Sequence, residues 1–426
     1  MAMTGSPEWS AARRLGFRFG FLVGALVIFP FPLEVLPRTG WLAEIVVKPL
    51  HWAVGGFGRS MLGLADLPSA FTGSGDRLFD YVELLLIVIL GALGAIGWSI
   101  LDRHRRAYPR LAAVAWVVLR YVLAAAMLDY GYSKVVRSQF PDLPAGWGYQ
   151  RVGDSSPMRL LWDFMGYSTP YTVFAGLAEI LGGVLLLWRR TATLGALVVI
   201  AVMTNIVLLN FCYDVPLKLY SSELVIMAAV IALPGGRRLI AAVIGRAVAE
   251  VPPPVRMSRG RERIRIAAKL ALIVAIMVHI ILLHSGSRNR NARVHELYGN
   301  WRVESFLADG VEHPPLTTDP VRWQTWSANS RYMAIWLMND RRDGPAEPWW
   351  GWYPFEVDAT SHTITLTIDV PHRTRETWSY TRPTPDQLVI DGPHGGKLLH
   401  VTLHRAPDGL LLTRGFHWIN EVPFNR

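Results

Sequence analysis

Seven long apolar runs constrain this chain more than any other feature: six hold roughly 17 to 25 mostly apolar residues, enough to cross a bilayer as a helix, and the sixth in order is shorter. They fall at residues 15–33, 78–101, 111–132, 169–188, 191–211, 219–233 and 266–284. Hydrocarbon offers the backbone no hydrogen-bond partners, so such runs are expected as helices packed in a bundle. Arg13 and Arg14 precede the first run, Arg103, Arg105 and Arg106 follow the second, and Arg189 and Arg190 join the fourth to the fifth. A further basic stretch lies within residues 237–265. All of these fall on one side of an alternating seven-span arrangement, and short cytoplasmic flanks are enriched in Lys and Arg. The expectation is a multi-pass protein of a bacterial-type cytoplasmic (inner) membrane with its amino terminus in the cytoplasm. Pro30, Pro32 and Glu34 end the first run, which has no A-x-A-like cleavage site and reads as an uncleaved span.

The net charge of +10 follows from these flanks, so it implies no nucleic-acid partner; membrane lipids are the expected contacts. Cys212 is the single cysteine, which excludes a dithiol couple within one chain. It reads as a small buried apolar residue.

From about residue 294 the hydrophobic period shortens to two. Residues 300–306, 332–338, 353–357, 363–368, 377–381, 387–390, 398–403 and 410–413 read as short strands, punctuated by turn pairs such as Asp309-Gly310 and Gly395-Gly396. A small antiparallel barrel or sandwich follows. The fold class is therefore a multi-span helical membrane bundle followed by an extracytoplasmic β domain. The expected organisation is a two-span region at 1–110 with an outer interfacial segment, a four-helix core at 111–235, and a basic cytoplasmic linker at 236–265 containing Pro252-Pro253-Pro254. A seventh span at 266–285 and the β domain at 294–426 complete it. Between the third and fourth runs, Ser156-Pro157 opens a short helix over 158–165 that could cap the bundle from outside.

Two opposite charges lie deep in the apolar runs. Arg120 and Glu179 each sit nine residues from the basic face, roughly 13 Å deep at 1.5 Å per residue, which predicts an ion pair between antiparallel neighbours. The pair reads either as a pin that sets helix register or as a working site. Towards the opposite ends Asp129, Tyr130, Tyr132 and Lys134 close the third run, Asn205 and Asn210 lie on the fifth, and Tyr213, Asp214 and Lys218 follow it. The catalytic candidates are Arg120, Glu179, Lys134, Lys218, Asp129 and Asp214; the cofactor-contact candidates are Tyr132, Asn205 and Tyr213. A lysine in apolar surroundings gives up its proton more readily, so Lys134 or Lys218 could act as a base, with tyrosines donating to a quinone-like carbonyl. Eight of the twelve histidines follow residue 294, yet His400 and His404 are four apart on one strand and so roughly 13 Å apart, too far to share a metal. His417 is an isolated ligand candidate. No metal site is assigned and haem is not expected.

Residues 111–233 resemble the DoxX-like family of four-helix membrane proteins. The matching features are Arg120, the Gly131-x-x-Lys134 that ends the leading span, the run from Gly176 through Glu179 to Gly182-Gly183, and the Arg189-Arg190-Thr191 opening of the next span. The resemblance implies a part in a quinone-linked or envelope redox process, as a membrane oxidoreductase component. The β domain is similar to the lipocalin-like (calycin) barrels through Gly299-Asn300-Trp301, whose Trp would close the barrel floor with Arg414 packed on it. That similarity supports the alternative of a non-enzymatic protein whose outer barrel captures a hydrophobic molecule or an envelope partner. A transporter or lipid-modifying enzyme is also compatible with the intramembrane charges, although no twofold hydropathy repeat favours transport.

Overall fold

The computed structural model describes residues 8–418 apart from 32, 34–38, 70–71, 142, 144–145, 147–151, 247–257, 287–294, 340, 344–351, 370–373, 408 and 416. The chain divides into two compact units: Met1–Gln139 with Ser168–Ser285, and Phe140–Tyr167 with Gly286–Arg426. The proline-rich part of the expected linker lies outside the described residues.

The first unit is helical: α1 (Ala11–Ile28), α2 (Gly40–Leu62), α3 (Leu78–Leu101), α4 (Pro109–Val135), α6 (Thr169–Leu186), α7 (Ala192–Cys212), α8 (Lys218–Val243) and α9 (Arg259–Ser285). Among the described residues six helices are long and apolar enough to cross a membrane: α3, α4, α6, α7, α8 as far as Gly236, and α9. The protein is a multi-pass membrane protein whose spans contact lipid. The expected first span, α1, is a helix but not one of these six, because Arg13, Arg14 and Arg18 interrupt it. It nevertheless packs along α3, where Gly91 and Gly94 make room for Val23 and Leu22. Its Arg18 is buried and donates to Tyr108 Oη, Ser99 Oγ and the Asp102 carbonyl at 2.7–3.0 Å.

Local signals explain the helix starts. α4 opens on Pro109, whose missing N–H costs nothing at a first turn, and Ser168 Oγ accepts from Tyr171 N to cap α6. The bundle core is apolar and made of small and medium residues: Leu123, Ala124 and Met127 from α4, Ala196 and Val199 from α7, Ala228 and Ile231 from α8, and Ile276 and Ile280 from α9. α9 is thus packed into the core beyond its expected task of carrying the chain across. α8 runs past Pro234 to Val243, so the first residues of the expected linker are helical. Cys212 is exposed at the end of α7 rather than buried.

The second unit is a closed antiparallel barrel. Its eight staves are β1 (Gly299–Ala308), β3 (Trp323–Ala328), β4 (Tyr332–Leu337), β6 (Trp352–Asp358), β7 (Thr363–Asp369), β8 (Thr374–Thr384), β9 (Gln387–His394) and β10 (Lys397–Arg405). β10 pairs back onto β1, while β2 (Val311–Glu312) and β5 (Arg342–Asp343) are two-residue additions. Trp301, Phe306, Trp323, Trp326, Trp378 and Tyr380 fill the interior and are fully buried. A bulge between Val303 and Ser305 shifts the alternation of β1 by one residue and returns Phe306 to the inside.

Two strand expectations are corrected. Residues 410–413 form a helical turn, α10 (Leu410–Thr413), and the missing stave is β3. Arg405 of β10, not Arg414, lies over the Trp301 ring, 5.5 Å from its centroid, with Arg382 at 5.9 Å.

The stretch read as part of the 111–235 core and as a cap on it groups with the barrel instead. Its α5 (Pro157–Tyr167) starts where expected, with Ser156 Oγ accepting from Arg159 N at 3.1 Å. Gly146, at φ +89°, donates its N–H to Asn300 Oδ1, and a Cβ there would press on Ser327, Trp336 and Trp352. Trp147 and Tyr149 lie outside the described residues.

Candidate functional site

The buried stripe of α4 contains Arg120, Leu123, Ala124, Met127, Leu128, Gly131 and Lys134, a helical three-four spacing that presents one face to its neighbours. On α6 the stripe is Thr172, Gly176, Glu179, Gly183 and Leu186. The helices meet at Gly131 and Gly176, where a Cβ on either residue would lie 2.6 Å from the other's carbonyl oxygen. Small residues permit this approach, as they do wherever spanning helices pack by van der Waals contact.

That crossing sets which charges meet. Lys134 Nζ lies 2.8 Å from Glu179 Oε1 and 2.9 Å from Oε2, and both side chains are buried, at 7% and 1% exposure. The ammonium also lies 5.6 Å from the centroid of the Tyr130 ring, which itself packs near Tyr220. Two charges so fully removed from water must compensate one another, since an isolated ion would be strongly disfavoured.

The expected Arg120–Glu179 pair does not form. The same register that opposes Gly131 to Gly176 sets Arg120 against Leu187, to whose carbonyl its Nη2 donates at 3.5 Å. Glu179 then faces α4 about eight residues further on, roughly 12 Å along the axis. Arg120 instead lies over the rings of Trp116 and Tyr121, at 5.1 and 5.2 Å, and its buried Nε has no hydrogen-bond partner among the described residues.

The other candidates form separate groups. Asp129 Oδ1 is 2.9 Å from His284 Nε2, and His284 Nδ1 is 2.9 Å from Ser138 Oγ, which ties α9 to the end of α4. Tyr132 packs its ring near His284, at 5.9 Å. Lys218 Nζ lies 3.0 Å from Asp214 and 3.6 Å from Asp76, whose carboxylate also accepts from the backbone N–H groups of Lys218 and Leu219. Asp214 is exposed, so this group is a surface anchor at the start of α8. Tyr213 is half-buried at the end of α7, and Asn205 is exposed on α7, while its neighbour Asn210 is buried and bonded to Ser221. His284 and Asp76 went unrecognised in the sequence; an ionisable residue in the last turn of an apolar run was the available signal for His284.

A second buried charge cluster lies in the barrel. His394 Nδ1 is 2.7 Å from Glu376 and Nε2 is 2.9 Å from Asp343, whose other oxygen accepts from Tyr353 Oη at 3.3 Å. Trp323, Trp378 and Tyr353 meet the imidazole edge-on. Burial works against its protonation, but the two carboxylates outweigh it and hold the His394 pKa above the ordinary value. Both ring nitrogens are committed, which makes this an internal brace. His400 and His404 are exposed and pair with Asp391 and Glu304 on neighbouring strands.

A stretch of 116 residues is 38% identical to YwoB of Bacillus subtilis (strain 168), itself described as an uncharacterized protein, and covers 71% of that protein and 26% of this chain. The chain belongs to the YwoB family. Because the matched stretch fills most of YwoB and about a quarter of this chain, most of the sequence here lies beyond what the two proteins share. No family model matches the chain, and no solved structure matches it.

Proposed function

We propose that α4, α6, α7 and α8 form a DoxX-like core whose Lys134–Glu179 pair serves a quinone-linked redox process in the inner membrane. One observation carries this reading: the two sequence features that suggested the family, Gly131-x-x-Lys134 and the glycine-flanked Glu179, come together as a single buried site. The length of the stretch shared with YwoB, 116 residues, suits a four-helix unit. The donor set fits a quinone-type carbonyl, since a buried ammonium can donate to an oxygen that gains charge on reduction while the carboxylate holds the balancing charge. A quinone supplies two-electron, two-proton chemistry, with electrons coming from an envelope redox partner. Lys134 orients the carbonyl and Glu179 keeps the proton inventory of the site; Arg120, remote from both, acts as a structural or anion-facing residue. The arginine-rich flanks favour a cytoplasmic placement for the α3–α4 and α6–α7 turns and an extracytoplasmic one for the barrel.

The alternative, capture of a hydrophobic molecule inside the barrel, is disfavoured by the indoles of Trp301, Trp323, Trp326 and Trp378 that occupy its interior. The deciding experiment is extraction of the full chain in mild detergent, followed by mass spectrometry of retained small molecules and a redox difference spectrum. Wild type is expected to retain a quinone, and K134M and E179Q to lose it while remaining monodisperse. A folded wild-type protein without quinone, and without response to an added one, would sink the redox reading.

A further inference from the structure

Where α3 turns into α4, a cavity of about 490 Å³ is lined by Trp98, Asp102, Arg105, Tyr108, Arg110 and Leu111, among others. Its walls differ in chemistry. Trp98 and Leu111 belong to spanning helices, and beside them Val114, Ile100 and Leu101 turn exposed apolar side chains outward. Arg105 and Arg110 are exposed basic groups.

The polar end is firmly built. Tyr108 is buried, donates its hydroxyl to Asp102 Oδ2 at 2.9 Å and accepts from Arg18 Nε and Nη2. The Arg18 and Arg105 guanidinium groups lie 5.3 and 5.2 Å from its ring centroid. Asp102, whose Oδ2 already accepts the Tyr108 hydroxyl, is the one carboxylate among the lining residues, against the two cations Arg105 and Arg110. The surplus positive charge sits in a turn that joins two membrane spans, so it must lie in the headgroup layer with the apolar wall continuing into hydrocarbon.

We infer that this cavity is a binding site for an acidic glycerophospholipid, with the phosphate held by Arg105 and Arg110 and an acyl chain laid along Leu111 and Val114. The size suits the purpose, because ligand cavities commonly span about 300–1,000 Å³. Charge complementarity selects the acidic headgroup, and the amphipathic lining selects a lipid over a free anion. Arg18 is a positioning residue: it holds Tyr108 in place and repels further cations without reaching the cavity rim.

The test uses the full chain, delipidated in detergent and equilibrated with defined lipid, with retained lipid counted by native mass spectrometry. Phosphatidylglycerol should be retained at one molecule per chain far more strongly than phosphatidylcholine. The R105A/R110A variant should weaken phosphatidylglycerol retention roughly thirtyfold, while R263A/R265A, which removes the same charge from another flank, should leave it unchanged. V114W should weaken lipid retention by obstructing the apolar wall, and inorganic phosphate should not compete. Equal retention of the two lipids, or undiminished retention by R105A/R110A, would overturn the site. Competition by millimolar phosphate, with V114W unaffected, would overturn the lipid assignment in favour of a free-anion site.

Discussion

Gly131 and Gly176 touch backbone to backbone, each leaving no room for even a methyl group on the other. Enlarging either should separate α4 from α6 and loosen the Lys134–Glu179 pair that the contact aligns. G131A and G176A are each expected to cost about 1–3 kcal/mol, the usual penalty for overpacking. G97A on α3, where a Cβ would meet nothing within 4 Å, is the neutral comparison. Thermal unfolding of the detergent-solubilised chain, followed by size-exclusion chromatography, would separate the two classes.

Removing one partner of the buried pair should hurt more than removing both. K134M strands the Glu179 carboxylate and E179L strands the Lys134 ammonium, each at an expected cost of roughly 3–5 kcal/mol. The double variant K134M/E179L should recover much of that loss. If both single variants unfold at the wild-type temperature, the pair is wetter than its burial implies.

Barrel stability should fall as pH rises past neutrality. The folded His394 pKa is raised above the unfolded value of about 6.5, so its contribution is complete below that pH and is lost as the pH climbs through the folded value. Denaturation midpoints of the barrel, read from tryptophan emission between pH 5.5 and 8.5, should decline for wild type. In H394Q that part of the slope should vanish.

Arg405 should matter to barrel stability. Replacing it by methionine keeps the aliphatic contact but removes the cation over Trp301, an expected loss of about 0.5–2 kcal/mol. A denaturation midpoint unchanged within error would show that Arg382 alone suffices on that ring.

The spans were legible because length and hydropathy are local properties, and seven of the eight barrel staves were legible because their side chains alternate. Trp323 and Trp326 hid the remaining stave: they are three apart yet both buried, which period two forbids and the β-bulge between Trp323 and Thr325 permits. Residues 410–413 look strand-like, but the barrel has already closed at β10 and offers them no open edge. The site was half legible. Glu179 and Lys134 were both recognised as candidates, yet Glu179 was assigned to Arg120 because depth was counted from the basic flanks. The actual register comes from glycines on two helices, and a contact between backbones leaves no trace in charge spacing.

The seam between β1 and β10 joins segments about a hundred residues apart in the chain, so no portion of the barrel is complete without the rest. Such a closure is slow to find and all-or-none once found. The spans can enter the bilayer one after another as they are synthesised, but the barrel must wait for its final stave. A chain that stops before the second seam strand would therefore be left with unpaired edges and exposed indoles.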